Sequence, residues 1–438
     1  MYLLKMGEIS VVFAPITINR EQDGFILENE SFFYMADTVW SALTSLSMSE
    51  WENYLEYRRR QGFNALQINV LPQWDASGYV ETCKPFAQTL EGNHDYLKPN
   101  EVYFQNARER IALARAYGFV PVLVLLWANY IPKTWASGMG SVGAIPREAV
   151  APYVEYAVKL FSEFQPIYMV SGDTDFVGET AAAYYTDALE TVKKNAPEAL
   201  TTMHISGEHS SLPESIENNP LLDFYVYQSC HNGGGQHHAY HLAEAFLKKK
   251  PRPIVNAEPC YEAHGQGSSY GRHHAFEVRR AAWQSVLSGA KAGITYGAHG
   301  IWSVHRLDAT FPNPGFANTP LDFQDALRLP GAWDMSYLKW LFGQYHLAEL
   351  SPAKLTLNAT EEIRASKSRD GSRFAVYTPY AAEIGFNLDL SGYEVVEIDL
   401  ENRRVMTPKI YPGKGESVSR LLPSPSNSDS LILGTKRQ

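Results

Sequence analysis

The sequence predicts a (β/α)₈ barrel with an N-terminal β-hairpin and a small C-terminal antiparallel β-sandwich. Three observations point there. From Phe33 onward, short β-branched or apolar runs alternate with longer helical patterns, the mark of parallel strands joined by crossover helices. Eight such runs follow one another over about 310 residues, the number a barrel needs. No GxGxxG or GxxxxGK[ST] follows any run, which disfavours a doubly wound nucleotide-binding sheet.

The elements follow in order. Residues 8–30 alternate around Gln22-Asp23-Gly24, a hairpin signal placed to cap the barrel floor. Strands are predicted at 33–36, 65–71, 120–126, 167–170, 200–205, 224–228, 253–257 and 293–296, and helices at 49–61, 104–117, 147–164, 180–195, 238–249 and 272–288. A helix over 333–345 closes the ring, and the weak link 206–223 reads as a short helix or loop. Beyond residue 350 the texture changes. Strand-like runs at 374–378, 383–388 and 395–400 are separated by Asp370-Gly371, Ser391-Gly392 and Asn402, which divides the chain into a barrel over 1–349 and a β domain over 350–438. The stretch 423–438, Ser- and Pro-rich at its start, is expected to fray.

Composition narrows the function classes. The 438 residues are 45% hydrophobic and 20% charged, the balance of a packed globular protein. Lys and Arg total 38 against 48 Asp and Glu, a net charge of −10, so no positive field exists to gather phosphate backbones and nucleic acid is not the expected partner. The longest apolar run, 120–128, falls short of the roughly 20 residues of a membrane span. Residues 1–10 lack the apolar stretch of a secretory leader, and the three cysteines (Cys83, Cys230, Cys260) leave one unpaired, so the expected compartment is the cytoplasm.

In such a barrel, functional side chains stand at the C-terminal ends of the strands. Asp37 and Trp40 follow the first strand, Asn69 ends the second, and Trp127 ends the third. The fourth runs into Ser171-Gly172-Asp173-Thr174-Asp175, and the fifth carries His204. Tyr227, Gln228 and His231 close the sixth. The seventh gives Asn256, Glu258, Tyr261 and Glu262; Tyr296, His299 and Trp302 follow the eighth. Asp173 and Glu258 fall on opposite sides of one mouth, as the two carboxyls of glycoside hydrolysis must, one protonated and one ionised across the scissile bond. Strand alternation puts Asn256 on the face of Glu258, within reach of a sugar 2-hydroxyl. The tryptophans and tyrosines offer stacking faces for sugar rings, against the plainer reading of core packing. Capping or a structural ion pair is the plainer reading for the acids.

Other chemistries fit less well. The segment from Cys230 to His241 contains four histidines, with Gly233-Gly234-Gly235 among them, but their spacing matches no zinc pattern, so no metal and no cofactor is expected. There is no GxSxG elbow, and Cys230 and Cys260 carry no local signature of a nucleophile.

At these residues the chain resembles the apiosidase-like (β/α)₈ glycoside hydrolases, the group around glycoside hydrolase family 140. The matching segments are Phe32-Phe33-Tyr34-Met35-Ala36-Asp37-Thr38-Val39-Trp40, Gly62-Phe63-Asn64-Ala65-Leu66-Gln67-Ile68-Asn69-Val70, Ser171-Gly172-Asp173-Thr174-Asp175-Phe176, Asn256-Ala257-Glu258-Pro259-Cys260-Tyr261-Glu262, and Thr295-Tyr296-Gly297-Ala298-His299-Gly300-Ile301-Trp302. With Leu329-Pro330-Gly331-Ala332 they span about residues 20 to 345. The resemblance implies a retaining glycosidase acting on an oligosaccharide or plant-type glycan, with Asp173 as acid/base and Glu258 as nucleophile. Members often carry Gly-Gly-Asp at the acid, where this chain has Ser171-Gly172-Asp173, so apiose specificity does not transfer. A sugar-binding barrel without turnover and a transglycosidase using the same two acids are the alternatives.

Overall fold

Eight parallel strands form one sheet that curls into a barrel: β1 (Tyr34–Thr38), β2 (Ala65–Asn69), β3 (Val120–Trp127), β4 (Ile167–Gly172), β5 (Thr201–Thr202), β6 (Tyr225–Gln228), β7 (Ile254–Glu258) and β8 (Gly293–Tyr296). This computed structural model describes residues 13–77, 84–140, 143–229, 231–267, 269–422 and 428–437. Hydrogen-bonded neighbours run β5-β4-β3-β2-β1-β8-β7-β6. The ring closes between β5 and β6 through single bonds: Asp223 N–H donates to Thr201 O at 3.0 Å, and Glu208 N–H to Gln228 O at 3.1 Å. The strands are buried on both faces, which accounts for their unbroken apolar runs.

The outer layer comprises α1 (Met48–Arg60), α2 (Glu101–Ala116), α3 (Arg147–Phe161), α4 (Glu179–Asn195), α5 (His238–Leu247), α6 (Ala275–Val286) and α7 (Gly331–Gln344). Local sequence sets their starts: Ser47 and Glu50 form a reciprocal capping box on α1, and the Asn100 side chain caps α2. Between β5 and β6 the only helix among the described residues is the four-residue turn Glu214–Glu217. Among the described residues no helix is long and apolar enough to cross a membrane.

The N-terminal signal resolves into three short antiparallel strands, Thr17–Ile18, Phe25–Leu27 and Glu30–Phe32; residues 8–12 lie outside the described residues. Asn19 Oδ1 accepts from the N–H groups of Asp23 and Gly24 and shapes the turn. Phe25 meets Tyr34 and Phe224, residues at the starts of β1 and β6, and so plugs the floor.

After residue 350 two antiparallel sheets follow. One has β9 (Arg364–Lys367), β10 (Arg373–Thr378), β11 (Tyr393–Asp399) and β12 (Ser430–Lys436), in the order β9-β10-β12-β11, with two short edge strands. The other joins Ile384–Phe386, Ser419–Leu422 and Lys409–Pro412. Here the expectation of a fraying tail fails. Residues 428–437 are not loose: β12 pairs on both edges and buries Leu431, Ile432 and Leu433, while 423–427 lie outside the described residues. The barrel-facing side of this sheet shares one apolar core with the barrel through Tyr377, Ile398, Leu431 and Leu433.

Candidate active site

The chemistry-bearing residues meet in a cavity of about 130 Å³ at the C-terminal ends of the strands. Glu258 enters it from the end of β7. The register of β7 against β6 slips here, so that Tyr227 pairs with Asn256 and Gln228 with Glu258, leaving Ala257 as the extra residue of a bulge. Gln67 reaches across the barrel interior to donate to the Ala257 carbonyl at 2.8 Å. The bulge corrects the alternation argument: Asn256 does not share a face with Glu258. Its amide donates outward to Ser229 Oγ at 2.9 Å and to Ser285 Oγ of α6 at 3.0 Å.

Glu258 is hydrogen-bonded at Oε1 and has an imidazole in ion-pair contact at Oε2. His231 Nε2 lies 3.0 Å from Oε1, Gln228 Nε2 donates to the same oxygen at 3.3 Å, and His204 Nε2 stands 3.0 Å from Oε2. Burial alone would push this carboxyl up, but the imidazoles at its oxygens prevail and pull it down to about 2. The proton on His204 is fixed by its other nitrogen. Asp173 N–H donates to His204 Nδ1 at 2.9 Å, so Nδ1 presents its lone pair and the ring proton sits on Nε2, facing Glu258. One imidazole thus ties the backbone of one acid to the carboxylate of the other.

Asp173 sits just past β4 with φ +48°, a left-handed backbone uncommon for a residue with a Cβ. Trp135 locks it there, donating its indole N–H to Asp173 O at 2.6 Å while its backbone N–H bonds Asp175 Oδ2 at 3.1 Å. The Asp173 carboxyl is raised well above the usual range by burial and by the nearby charges of Glu258, Asp75 and Asp175. The two acids of one cavity are therefore shifted in opposite directions.

Aromatic rings build the walls. Trp127 stacks on His204 at 5.8 Å and meets Trp40 edge-on at 5.3 Å. Gly172 makes that stack possible, because a Cβ there would lie 2.1 Å from the Trp127 ring. Gly297 does the same for Tyr261, whose ring a Cβ would approach to 2.0 Å. Trp302 completes the wall, its indole N–H donating to His299 Nδ1 at 3.1 Å. Polar atoms of Trp127 (Nε1), Gln228 (Oε1), His231 (Nδ1) and Tyr261 (OH) are buried beside the cavity without a protein partner, the donor and acceptor set a polyhydroxy ligand would use.

Of the residues expected at the mouth, Trp40, Trp127, Asp173, Gln228, His231, Glu258, Tyr261 and Trp302 line the cavity. The others are held elsewhere. Asp37 is fully buried in an ion pair with Arg58 (2.5 Å) and a bond from Tyr54 (2.7 Å), between β1 and α1. Tyr227 donates to Ala239 O under α5, and Tyr296 to Glu262 Oε2 at 2.6 Å. Asn69 and His299 stand one layer behind, Asn69 donating to Gln73 at 3.0 Å and His299 bonding Asn318 O at 3.0 Å. Cys260 is buried and off the cavity; Cys83 and Cys230 lie outside the described residues. Among the described residues no cluster of three His, Cys, Asp or Glu side chains could hold a metal, and His241 pairs instead with Glu361 at 2.9 Å.

Sequence reading missed the loop contributions: Gln73, Trp74 and Asp75 after β2, Trp135 after β3, His264 after β7, and Phe311, Asn313 and Phe316 after β8. The run Pro72-Gln73-Trp74-Asp75 was the available signal, since a Trp beside an acid directly after a barrel strand falls on the functional face.

A parallel barrel that gathers two carboxyls in one tryptophan-walled cavity at the C-terminal ends of its strands has the architecture of a glycoside hydrolase acting on carbohydrate. The chain belongs to the apiosidase-like family, whose catalytic-domain model matches residues 22–349. Similar solved structures are a glycoside hydrolase (TM-score 0.79, 19% identity, 97% of each chain covered) and a glycoside hydrolase family 5 protein from Bacteroides vulgatus (TM-score 0.78, 18% identity, 97% of this chain and 95% of that one). A further glycoside hydrolase of that organism, described as putative, follows at TM-score 0.68 and 13% identity, covering 97% of this chain and 82% of its own. A search of curated proteins returned no significant match.

Proposed function

We propose that the enzyme cleaves a glycosidic bond of an oligosaccharide with net retention, with Glu258 as nucleophile and Asp173 as acid/base. The observation that carries this reading is the opposed state of the two carboxyls in one cavity. Glu258, pulled down to about 2, is a poor base for activating water, since an efficient general base titrates near the working pH. The same low basicity suits a nucleophile that must later leave. In the first step Glu258 bonds the anomeric carbon while Asp173 gives its proton to the departing oxygen; in the second, water attacks that carbon, Asp173 takes the proton and Glu258 is released.

The test is a screen of aryl glycosides and plant-derived oligosaccharides, furanosides included, with the product anomer followed by NMR. Retention at first appearance is the expected result; inversion would overturn the role of Glu258, and no turnover on any glycoside would overturn the enzyme reading. A crystal structure is expected to put the two carboxyl groups about 5 to 5.5 Å apart, whereas an inverting pair would stand at about 6.5 to 9.5 Å.

A further inference from the structure

Asp75 lies in the loop after β2 and has no part in the chemistry so far. It lines the same cavity as Asp173 and Glu258, and its Oδ1 is buried without a protein partner. Trp74 beside it meets Trp135 edge-on at 6.1 Å, and Trp135 is the residue that holds the Asp173 backbone, so the two loops are locked together. Among the described residues no Lys or Arg lines this cavity. The titratable groups around Asp75 are Asp173 with Asp175 behind it, Glu258 from β7, and the wall residues His231, Tyr261 and His264, with His204 beneath.

Three carboxyls thus share one small cavity, and the charge on Glu258 is already committed to its two histidines. In a desolvated pocket the remaining two cannot both ionise cheaply, because each faces a fixed negative charge with no cation to offset it. Resting on Asp173 as the acid, we propose that Asp75 is a positioning carboxyl that keeps the proton on Asp173 and restricts the cavity to an uncharged glycosyl unit. Burial and the Glu258 charge raise Asp75 itself to about 7, and Asp75 is among the causes that raise Asp173. A sugar bearing its own carboxylate would bring a further negative charge into this wall.

The test combines a titration with kinetics. In substrate-free wild-type enzyme carrying ¹³C in its aspartate carboxyls, the Asp173 signal, assigned with Asp173→Asn, is expected to titrate in two coupled steps. In Asp75→Asn, or Asp75→Ser should the first variant misfold, it is expected to titrate once, about one pH unit lower. On the aryl glycoside the wild type turns over best, the basic limb of kcat/KM is expected to move down by the same amount. A single-step wild-type titration together with an unmoved limb in a folded variant would overturn the proposal. So would wild-type turnover of aryl glycuronides as fast as of uncharged aryl glycosides. The carboxyl titration needs no substrate, so a failure of the glycosidase reading shows as absent turnover while the coupling between the two aspartates is still measured.

Discussion

His204 touches both proposed catalytic residues, so the pair is best understood one side chain at a time. Glu258→Gln removes the charge its histidines were placed to hold, and Asp173→Asn removes the transferable proton. Each is expected to lower kcat by roughly 10² to 10⁴-fold or more without loss of fold. Circular dichroism checks the fold and single-turnover kinetics the rate, and azide is expected to restore turnover in Glu258→Ala with the opposite anomer. Glu262 makes a different prediction, because it lies outside the cavity and bonds Tyr296 and the Gly331 N–H. Burial pushes it from 4.5 up to about 7. Ionising it in the folded chain therefore costs stability. That cost is absent below the unfolded value, grows as pH rises toward about 7, and is constant above. Glu262→Gln is expected to match the wild type near pH 4 and to gain roughly 2 to 3 kcal/mol over it by pH 8, read from denaturant midpoints at the two pH values.

At the scale of elements, the eight strands and most helices were legible because parallel strands buried on both faces must be continuous apolar runs. That Asp173 and Glu258 meet in one cavity was legible for a related reason, since strand ends point at the mouth whatever the loops do. Two kinds of feature were not. A bulge leaves no periodic trace, so Asn256 was assigned to the wrong face and the outward bonds to Ser229 and Ser285 were invisible. Long-range pairing is equally silent: nothing adjacent to Asp37 announces Arg58, and the hairpin Phe86–Gln88 with His94–Pro99, inserted before α2, has no hydrophobic alternation to betray it. The close approach at β4 gives the test at this scale. Gly172→Ala drives a methyl into the Trp127 ring, and overpacking of this kind costs about 1 to 3 kcal/mol. It is expected to lower Tm by several degrees and to lower kcat/KM further than stability alone explains, because Trp127 also stacks on His204.

For the whole molecule, the β domain is structurally continuous with the barrel. Asp429, next to β12, accepts from Arg279 of α6 through Nε at 2.9 Å and Nη2 at 2.6 Å, and from Tyr377 OH at 3.1 Å; Arg279 Nη1 also donates to Asp334 of α7 at 2.6 Å. Trp283 of α6 stacks on Tyr377 at 6.4 Å. Removing one member of a buried ionic cluster leaves its partner desolvated, so Asp429→Ala is expected to cost about 3 kcal/mol in thermal or chemical unfolding. Cutting the chain at 349 is expected to leave an aggregating barrel, with the apolar face that met Leu431 and Leu433 exposed to water.

The seam between β5 and β6 gives Glu258 a mechanical office. His204 follows one lip of the seam and His231 the other, and both hold the same carboxylate, which therefore acts as a rivet across the stretch of wall where no ladder runs. On the proposed mechanism that carboxylate becomes an ester and loses its charge, so the rivet slackens while the glycosyl intermediate waits for water. Trapping the intermediate with a 2-fluoro sugar is thus expected to speed amide exchange at Thr201, Thr202 and Gln228 relative to the resting enzyme, with the distant strands β1 and β2 as unchanged internal controls. Equal exchange in both states would mean that the lips are held by the bonds of Asp223, Glu208 and Thr202 without help from Glu258, and that the barrel does not loosen as the reaction proceeds.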